Sequence, residues 1–491
     1  SKKFRKLSFE KKNKNKIIYM LNLKSYTLLL ALSVIVFHAK AQDAGSNSFS
    51  LQQSIDYAYK NSPNYLNAQS DVLMAKYKRK EVIGMALPQI TGSVDMKNFI
   101  VVPTQVLPNF IAPASYAGTI DALRGAGMPV ILDPAKLDQN NYDPIAAQFG
   151  TRYQTTAGLN ASLLVFSADY LVGLKATKEM ISLMNISVAR SKTEVVSQVS
   201  KAYYGVLVNK ERIKLLDANI TKLEKLLNDT KAFNKQGFVE QIDVDRLEVA
   251  FNNLITEKQK IERLISLSEN VLKFQMGYAG ADNLVLTDSL SISDNAEISV
   301  SKIDVSKRTE YQMMEVQQRL YQINVKRLKF GYMPSLVAFG SLSASGMGND
   351  LNYVGYINKY YQTQLIGATL SLNVFDGLQR HYKIQQAKLD FTKGENSMKN
   401  LQLAIELEGA SAAVNYNNAA LSLQVQKRNL DLAQNVYNVS QKKYEQGVGS
   451  NIEVINAQQS LKESQANYFN AVYDMLVYKI DYLKAIGTLV K

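Results

Sequence analysis

The chain is written twice, and that duplication restricts its fold more than any other feature. Gly158-Leu159-Asn160-Ala161-Ser162-Leu163-Leu164-Val165-Phe166 is answered by Gly367-Ala368-Thr369-Leu370-Ser371-Leu372-Asn373-Val374-Phe375, with Gly, Ser, Leu, Val and Phe at one offset. Gln236-Gly237-Phe238-Val239-Glu240-Gln241-Ile242-Asp243-Val244 is answered at nearly the same offset by Gln446-Gly447-Val448-Gly449-Ser450-Asn451-Ile452-Glu453-Val454. Leu87-Pro88-Gln89-Ile90 pairs with Met333-Pro334-Ser335-Leu336. Each half reads helix, proline, strand, connection, strand, long helix, glycine turn, long helix. Such a repeat predicts two copies of one supersecondary unit.

The strand segments alternate. Over 362–375, Ile366, Ala368, Leu370, Leu372 and Val374 fall on one face, with Thr363, Gly367, Thr369, Ser371 and Asn373 on the other. Over 153–166, Ala157, Leu159, Ala161, Leu163 and Val165 oppose Thr156, Gly158, Asn160 and Ser162. Ile90, Gly92, Val94 and Met96 oppose Thr91, Ser93, Asp95 and Lys97, while 335–345 alternates poorly. Strands of about ten residues, apolar on one face and small or polar on the other, suit a membrane barrel with a wet lumen. They equally suit a soluble sheet with one buried face. Four strands cannot close a useful barrel, so a barrel reading requires several chains to share one.

The helices are long. From Leu378 to Tyr444 there is no proline and only two glycines, Gly394 and Gly409. At 1.5 Å per residue, about 65 residues make a rod of roughly 100 Å, longer than a globular domain is wide. The 170–235 stretch places Val199, Val206, Ile213, Ile220 and Leu227 every seventh residue, with Ala202, Leu216 and Leu223 in a second seam that Asn209 interrupts. Sustained sevenfold spacing predicts coiled-coil packing. Gly237 and Gly447/Gly449 then turn each rod back into an antiparallel hairpin.

The charge balance and rare residues remove whole classes of function. The net charge is +14, but residues 1–41 hold ten basic groups against the single acid Glu10. The modest excess left over some 450 residues is no basic stripe, so nucleic acid is not an expected partner. Ahead of Ala39-Lys40-Ala41, the apolar run Leu28–Phe37 follows Lys24 and is too short to span a bilayer, which matches an export signal. The expected mature start is Gln42, with translation beginning at Met20. Cysteine is absent, and His38 and His381 are the only histidines. Thiolate, His-metal and His-based catalytic sites are therefore not expected, nor is a cofactor. No nucleophile elbow, HExxH or phosphate loop occurs, so the chain is not expected to be an enzyme.

Certain residues resemble the TolC-like outer-membrane efflux family. Asn373-Val374-Phe375-Asp376-Gly377 looks like that family's V-F-D-G-G corner, with Leu378 in place of the second glycine. Tyr444 to Leu461 looks like its Y-x-x-G…D-V-L-x-A-Q-x-x-L hairpin tip, and Tyr482-Leu483-Lys484-Ala485-Ile486-Gly487-Thr488-Leu489 like its ending. The likeness covers about residues 50–490 and is degenerate in the first half, where Phe166-Ser167-Ala168 replaces F-D-G. It implies an α+β membrane protein: a homotrimer with one twelve-stranded transmembrane β-barrel, four strands per protomer, continued by a periplasmic α-helical coiled-coil barrel. The segments are then 1–41 leader and a first repeat, 42–276. That repeat has strands 88–98 and 153–167, an extracellular loop 99–152 and a hairpin 169–276. An equatorial linker, 277–304, leads to a second repeat, 305–491, with strands 334–346 and 362–376 and a hairpin 378–487. Shorter helices around 50–86 and 305–332 pack beside the barrel.

The same resemblance implies a passive export duct in the outer membrane of a Gram-negative bacterium, embedded in its lipid. The duct would dock to a periplasmic adaptor (membrane fusion) protein and an inner-membrane pump, in a tripartite efflux or type I secretion system. Adaptor-docking tips map to Gly237, Phe238, Val239 and Glu240 and to Gly447, Val448, Gly449 and Ser450. The periplasmic entrance maps to Asp243 and Glu453 as acidic rings and to Tyr444 as a gate aromatic, while Asn456 replaces a second carboxylate. The competing reading is a soluble periplasmic coiled-coil scaffold or chaperone. The residues name no cargo.

Overall fold

The computed structural model describes residues 48–148, 150–280, 282, 284–290, 303–352 and 360–490. The expected leader, Met20 included, and half of the 277–304 linker lie outside these residues. The chain divides into two compact bodies: Ser62–Ser197 with Ala296–Leu423 and Asp474–Lys491, and the remainder.

The first body is built on one antiparallel sheet. Helix α2 (Pro63–Gly84), started by Pro63, leads through Pro88 into β2 (Gln89–Asn98), and β5 (Tyr153–Ser167), β7 (Ser335–Gly348) and β8 (Tyr360–Ser371) follow in the order β2-β5-β7-β8. The register decides what alternation alone left open. Val94 stands opposite Ala157, Ala157 opposite Ala344, and Gly92, Leu159 and Leu342 form the next row. Ile90, Ala161, Gly340 and Ile366 make another. One face therefore collects Ile90, Val94, Leu159, Leu163, Leu342 and Ile366 from the four strands, with Gln362 and Gln364 at one end, while Leu164, Val337, Phe339 and Leu365 stand on the opposite face. That opposite face also collects Thr91, Ser93, Asp95, Asn160, Thr156, Ser341, Ser343, Ser345, Thr363 and Thr369. The Thr156 and Ser345 hydroxyls are 3.0 Å apart across that polar face. On the apolar face Ile90 is 70%, Val94 76% and Ile366 92% exposed, so no described part of the chain covers it.

Several details differ from the sequence reading. The regular strand β8 ends at Ser371, so Leu372 and Val374 belong to the corner and not to the ladder. In β5 a bulge at Val165 sets Phe166 opposite Leu336, on the apolar face, where plain alternation had put Val165. One extra residue in a strand re-aims everything after it. Strand β7 looked poorly alternating because glycines and serines fill it. Its Phe339 ring lies where a side chain on Gly367 would stand, so a small residue and a large one share one place across the strands.

The 99–152 connection is not a bare loop. It carries a two-stranded ladder, β3 (Thr104–Leu107) with β4 (Ile145–Gln148), and a helix, α3 (Ile111–Gly125), that buries Pro113 and Ile120. Pro113 falls in α3's first turn, where proline is tolerated, and Pro134 opens a 3-10 turn. Asp133 and Asp138 cap the single 3-10 turns at Pro134–Lys136 and Gln139–Asn141.

Helices leave the sheet directly. β5 runs into α4 (Ala168–Lys235), and β8 turns a corner into α7 (Gln379–Glu445). At that corner Gly377 and Leu378 both hold left-handed backbone, with φ of 62° and 63°. Asp376 accepts the Arg380 backbone N–H at 3.2 Å, and the Arg380 guanidinium lies 4.9 Å above the Tyr332 ring. Helix α6 (Thr309–Phe330) meets α7 where α7 has no side chain, Gln318 and Tyr321 occupying the space beside Gly394, and Ile303, ahead of α6, occupies that beside Gly409. The last helix, α8 (Asn451–Ala485), ends on a buried Arg308 that donates to the Ala485 carbonyl at 2.9 Å and to Glu408 and Glu310 at 3.0 and 3.1 Å. Among the described residues no helix is long and apolar enough to cross a membrane.

The second body holds the far parts of α4, α7 and α8, the whole of α5 (Gln241–Met276), α1 (Leu51–Asn61) and a parallel pair, β1 (Ser48–Phe49) with β6 (Val285–Leu286). Its core is Leu216, Ile220, Leu223, Leu226 and Leu227 of α4, Val244, Leu247, Leu254 and Ile261 of α5, Tyr437 of α7, and Val454, Ala457 and Leu461 of α8. The heptad positions Leu216, Ile220, Leu223 and Leu227 read from the sequence belong to it, and Val199 and Val206 are fully buried as well. Ion pairs Arg212–Glu257, Lys258–Asp217 and Lys231–Glu248, at 2.8 to 2.9 Å, align α4 against α5.

Candidate entrance at the hairpin tips

Both hairpins reverse by one geometry. Gly237 has φ 84° and Gly447 φ 76°. The Gly237 N–H donates to Asn234 O at 2.9 Å and the Phe238 N–H to Phe233 O at 3.0 Å. The Gly447 N–H donates to Tyr444 O and the Val448 N–H to Lys443 O, each at 3.0 Å. This closure satisfies the last helical carbonyls and needs a left-handed residue, which glycine supplies without a steric cost. Gly449 is a correction to the sequence reading. It is not left-handed; a Cβ there would stand 2.8 Å from Lys443 Cβ, so the position needs room, not φ. Val239 holds the equivalent place in the first tip, where the Asn234 amide donates to its carbonyl at 2.8 Å.

The residues after the two glycines point outward. Phe238 is 75% and Val448 76% exposed, two apolar side chains at repeat-related positions. A concavity of about 890 Å³ opens beside them, lined by Phe233, Val239, Tyr444 and Ile452 among others. Glu240 precedes α5 without a side-chain cap, whereas the Ser450 hydroxyl accepts the Glu453 N–H at 3.4 Å.

The entrance residues divide into two groups. Asp243 is held: its carboxylate accepts from the Asn451 amide at 3.2 Å and lies 3.6 Å from Arg246. The Tyr444 hydroxyl lies 3.3 Å from that of Thr230, which is buried and bonded to Leu226 O. Glu453 and Asn456 are exposed and make no side-chain bond among the described residues. The structure thus joins Asp243 and Tyr444 to α8 and α4 and leaves the other two facing out. Sequence reasoning missed Asn451, Arg246 and Thr230. Arg246 stands one turn beyond Asp243 on α5, while Asn451 and Thr230 act across helices distant in sequence, which spacing does not mark. Nearby, burial and then Glu445 push the Tyr437 phenol up to about 12, so it stays neutral.

Residues 308–488 match the family described as outer membrane efflux protein. The match covers the second repeat, and over it the chain resembles that family. It is 20% identical to the outer membrane protein TolC of Vibrio cholerae, over 68% of this chain and 77% of that one. It is 21% identical to a probable efflux pump outer membrane protein, TtgC, of Pseudomonas putida, over 72% of each. Among solved structures it shares the fold of the Campylobacter jejuni CmeC outer membrane channel, with TM-score 0.66 and 14% identity over 89% of this chain and 86% of that one. The outer membrane protein VceC of Vibrio cholerae gives TM-score 0.64 and 12% identity over 89% and 96%. The relatives that it resembles are named outer membrane proteins.

Proposed function

We propose that this chain is the channel subunit of a tripartite efflux or type I secretion system, a passive duct through which an inner-membrane pump drives cargo. One observation carries the reading: a four-stranded sheet with a bare apolar face, a hydroxyl-lined face and two unpaired edges runs directly into helices of 68 and 67 residues. In hydrocarbon an unpaired strand edge leaves backbone groups without partners, and only closure removes it. Three copies at four strands each give twelve, enough for an open lumen. The 99–152 extension then stands on the extracellular side.

The two tips form the periplasmic end, where Phe238 and Val448 offer an adaptor protein apolar contacts in matched surroundings. In a trimer Asp243 and Glu453 become rings of three that attract cations, and Tyr444 narrows the entrance. The soluble scaffold reading leaves the apolar sheet face in water and has nothing to cover it.

The test is direct. Protein purified in detergent has the mass of three chains and forms ion-conducting pores in planar bilayers. A monomer in the aqueous periplasmic extract, or no conductance from the trimer, ends the reading.

A further inference from the structure

Buried amides line α8 at heptad spacing. Asn451, Gln458 and Gln465 are 3%, 4% and 7% exposed and lie seven residues apart, so they share one stripe of the helix. Gln465 accepts from the buried Asn219 of α4 at 2.9 Å. Asn451 donates to the Asp243 carbonyl of α5 at 2.7 Å. Neither amide atom of Gln458 has a partner among the described residues, and the same is true of Gln465 Nε2 and Asn451 Oδ1.

A stripe of half-satisfied amides is a poor way to gain stability. A buried polar atom without a partner costs about 1–3 kcal/mol, and leucine would pack the same seam without that cost. What a polar residue in a coiled-coil seam does supply is discrimination between partners and registers. This chain needs discrimination because its hairpins are copies of each other. Moved by the repeat's offset, the α8 stripe falls on Gln241, Glu248 and Ile255 of α5. The first two are exposed, Glu248 paired with Lys231, and the third is aliphatic. The stripe thus belongs to one hairpin and not its twin. Asn219 meets an amide in α8 and would meet an isoleucine in an α5 that took the same place.

We propose that the α8 amide stripe is a pairing code: Asn219–Gln465 and Asp243–Asn451 commit the second hairpin to the first hairpin of the same chain, in one register. The twin helix α5 is refused because Ile255 would leave Asn219 buried and unpaired. The proposal rests on the repeat, and on the shared barrel only for the source of competing helices, which are those of neighbouring copies.

The chain has no cysteine, so Lys222→Cys on α4 and Asn467→Cys on α8, both exposed, accept nitroxide labels cleanly. Doubly labelled full-length chain is diluted into unlabelled chain in detergent, and the label–label distance is read by pulsed electron resonance. The parent gives one narrow distance. Gln465→Ile, the residue of the twin helix, lowers the thermal midpoint by several degrees. Asn219→Leu with Gln465→Leu restores the midpoint or raises it, yet adds a second distance. A doubly substituted chain with the parent's single distance overturns the code, as does Gln465→Ile with the parent's midpoint. The mass of the parent in detergent is measured separately. A monomer there sinks the shared barrel and leaves the distance test standing.

Discussion

Asn451 donates its side-chain amide twice to Asp243, to the backbone carbonyl at 2.7 Å and to the carboxylate at 3.2 Å, and so fastens the first residue of one hairpin's return helix to the first turn of the other's. Both residues sit within a few positions of the tips. The link therefore restrains the end of the molecule proposed as the entrance. Asn451→Ala leaves the Asp243 carbonyl without this donor, at about 1–3 kcal/mol for a buried group. The expected outcome is a lower thermal midpoint and a larger single-channel conductance. Unchanged conductance would remove Asn451 from the entrance.

Phe238→Asp combined with Val448→Asp tests the tips as a docking surface. Both side chains are about three-quarters exposed, so the fold has little stake in them. Helical content and thermal midpoint are expected to stay at the parent's values, while co-purification of the adaptor falls at least tenfold. Gly447→Trp serves as a positive control, because it strains a left-handed position as well.

The two faces of the sheet make opposite predictions for the same new charge. Ile366 lies on the apolar face at 92% exposure, and Thr369 on the hydroxyl face. Ile366→Arg places a cation against lipid, at a cost of about 2–4 kcal/mol near the bilayer midplane. Assembly in the outer-membrane fraction should fall sharply. Thr369→Arg should assemble normally and shift ion selectivity toward anions. Equal assembly of both variants would reverse or abolish the assignment of faces.

Leu378 carries φ 63° where the resembling families have glycine. Left-handed backbone costs a non-glycine residue roughly 1–2 kcal/mol. Leu378→Gly is expected to raise the thermal midpoint, less the entropy that glycine adds to the unfolded chain. A fall would mean that the leucine side chain repays its strain by packing.

Acid should loosen the region around Arg308. Burial alone would raise the Glu310 carboxyl, but its own backbone N–H, Arg308 and Arg190 together hold it below its ordinary 4.5. A carboxyl depressed in the folded state stabilises fully above its unfolded value, and that contribution fades as pH falls through the folded one. Melting temperature should therefore drop below about pH 4.5, and Glu310→Gln should flatten that drop. A parent-like slope in the variant would clear Glu310 of the effect.

Local periodicity made most of the fold legible. Three of the four long strands follow from alternation and β7 from the repeat that sets Met333-Pro334 against Leu87-Pro88, and the heptad from Val199 to Leu227 names the α4 face that is buried. The reverse turns follow from Gly237 and Gly447, because few residues other than glycine hold that backbone. What escaped depends on contacts between distant segments. The Val165 bulge appears only when β7 supplies a register, and Pro113 reads as a loop breaker until it falls in a helix's first turn. Gly449 looked like a turn residue because glycine has two uses, freedom in φ and absence of bulk, and the sequence does not say which applies. At the tips proposed as the entrance, Asp243 and Tyr444 were singled out through the resemblance. Their partners Asn451 and Thr230 were not, since a helix-to-helix hydrogen bond leaves no mark in spacing.

The glycines of α7 that make room for other segments also record how far the two halves have parted. At the repeat's offset Gly409 corresponds to Val199, which is fully buried under its own side chain, while Gly409 yields its place to Ile303. One half fills the hollow from within and the other admits a tenant from elsewhere in the chain. Exchanging the two long helices would empty one site and crowd the other. Two sentences that began as the same text can no longer be transposed, and the duplication survives as shared architecture, with each copy now bound to its own address.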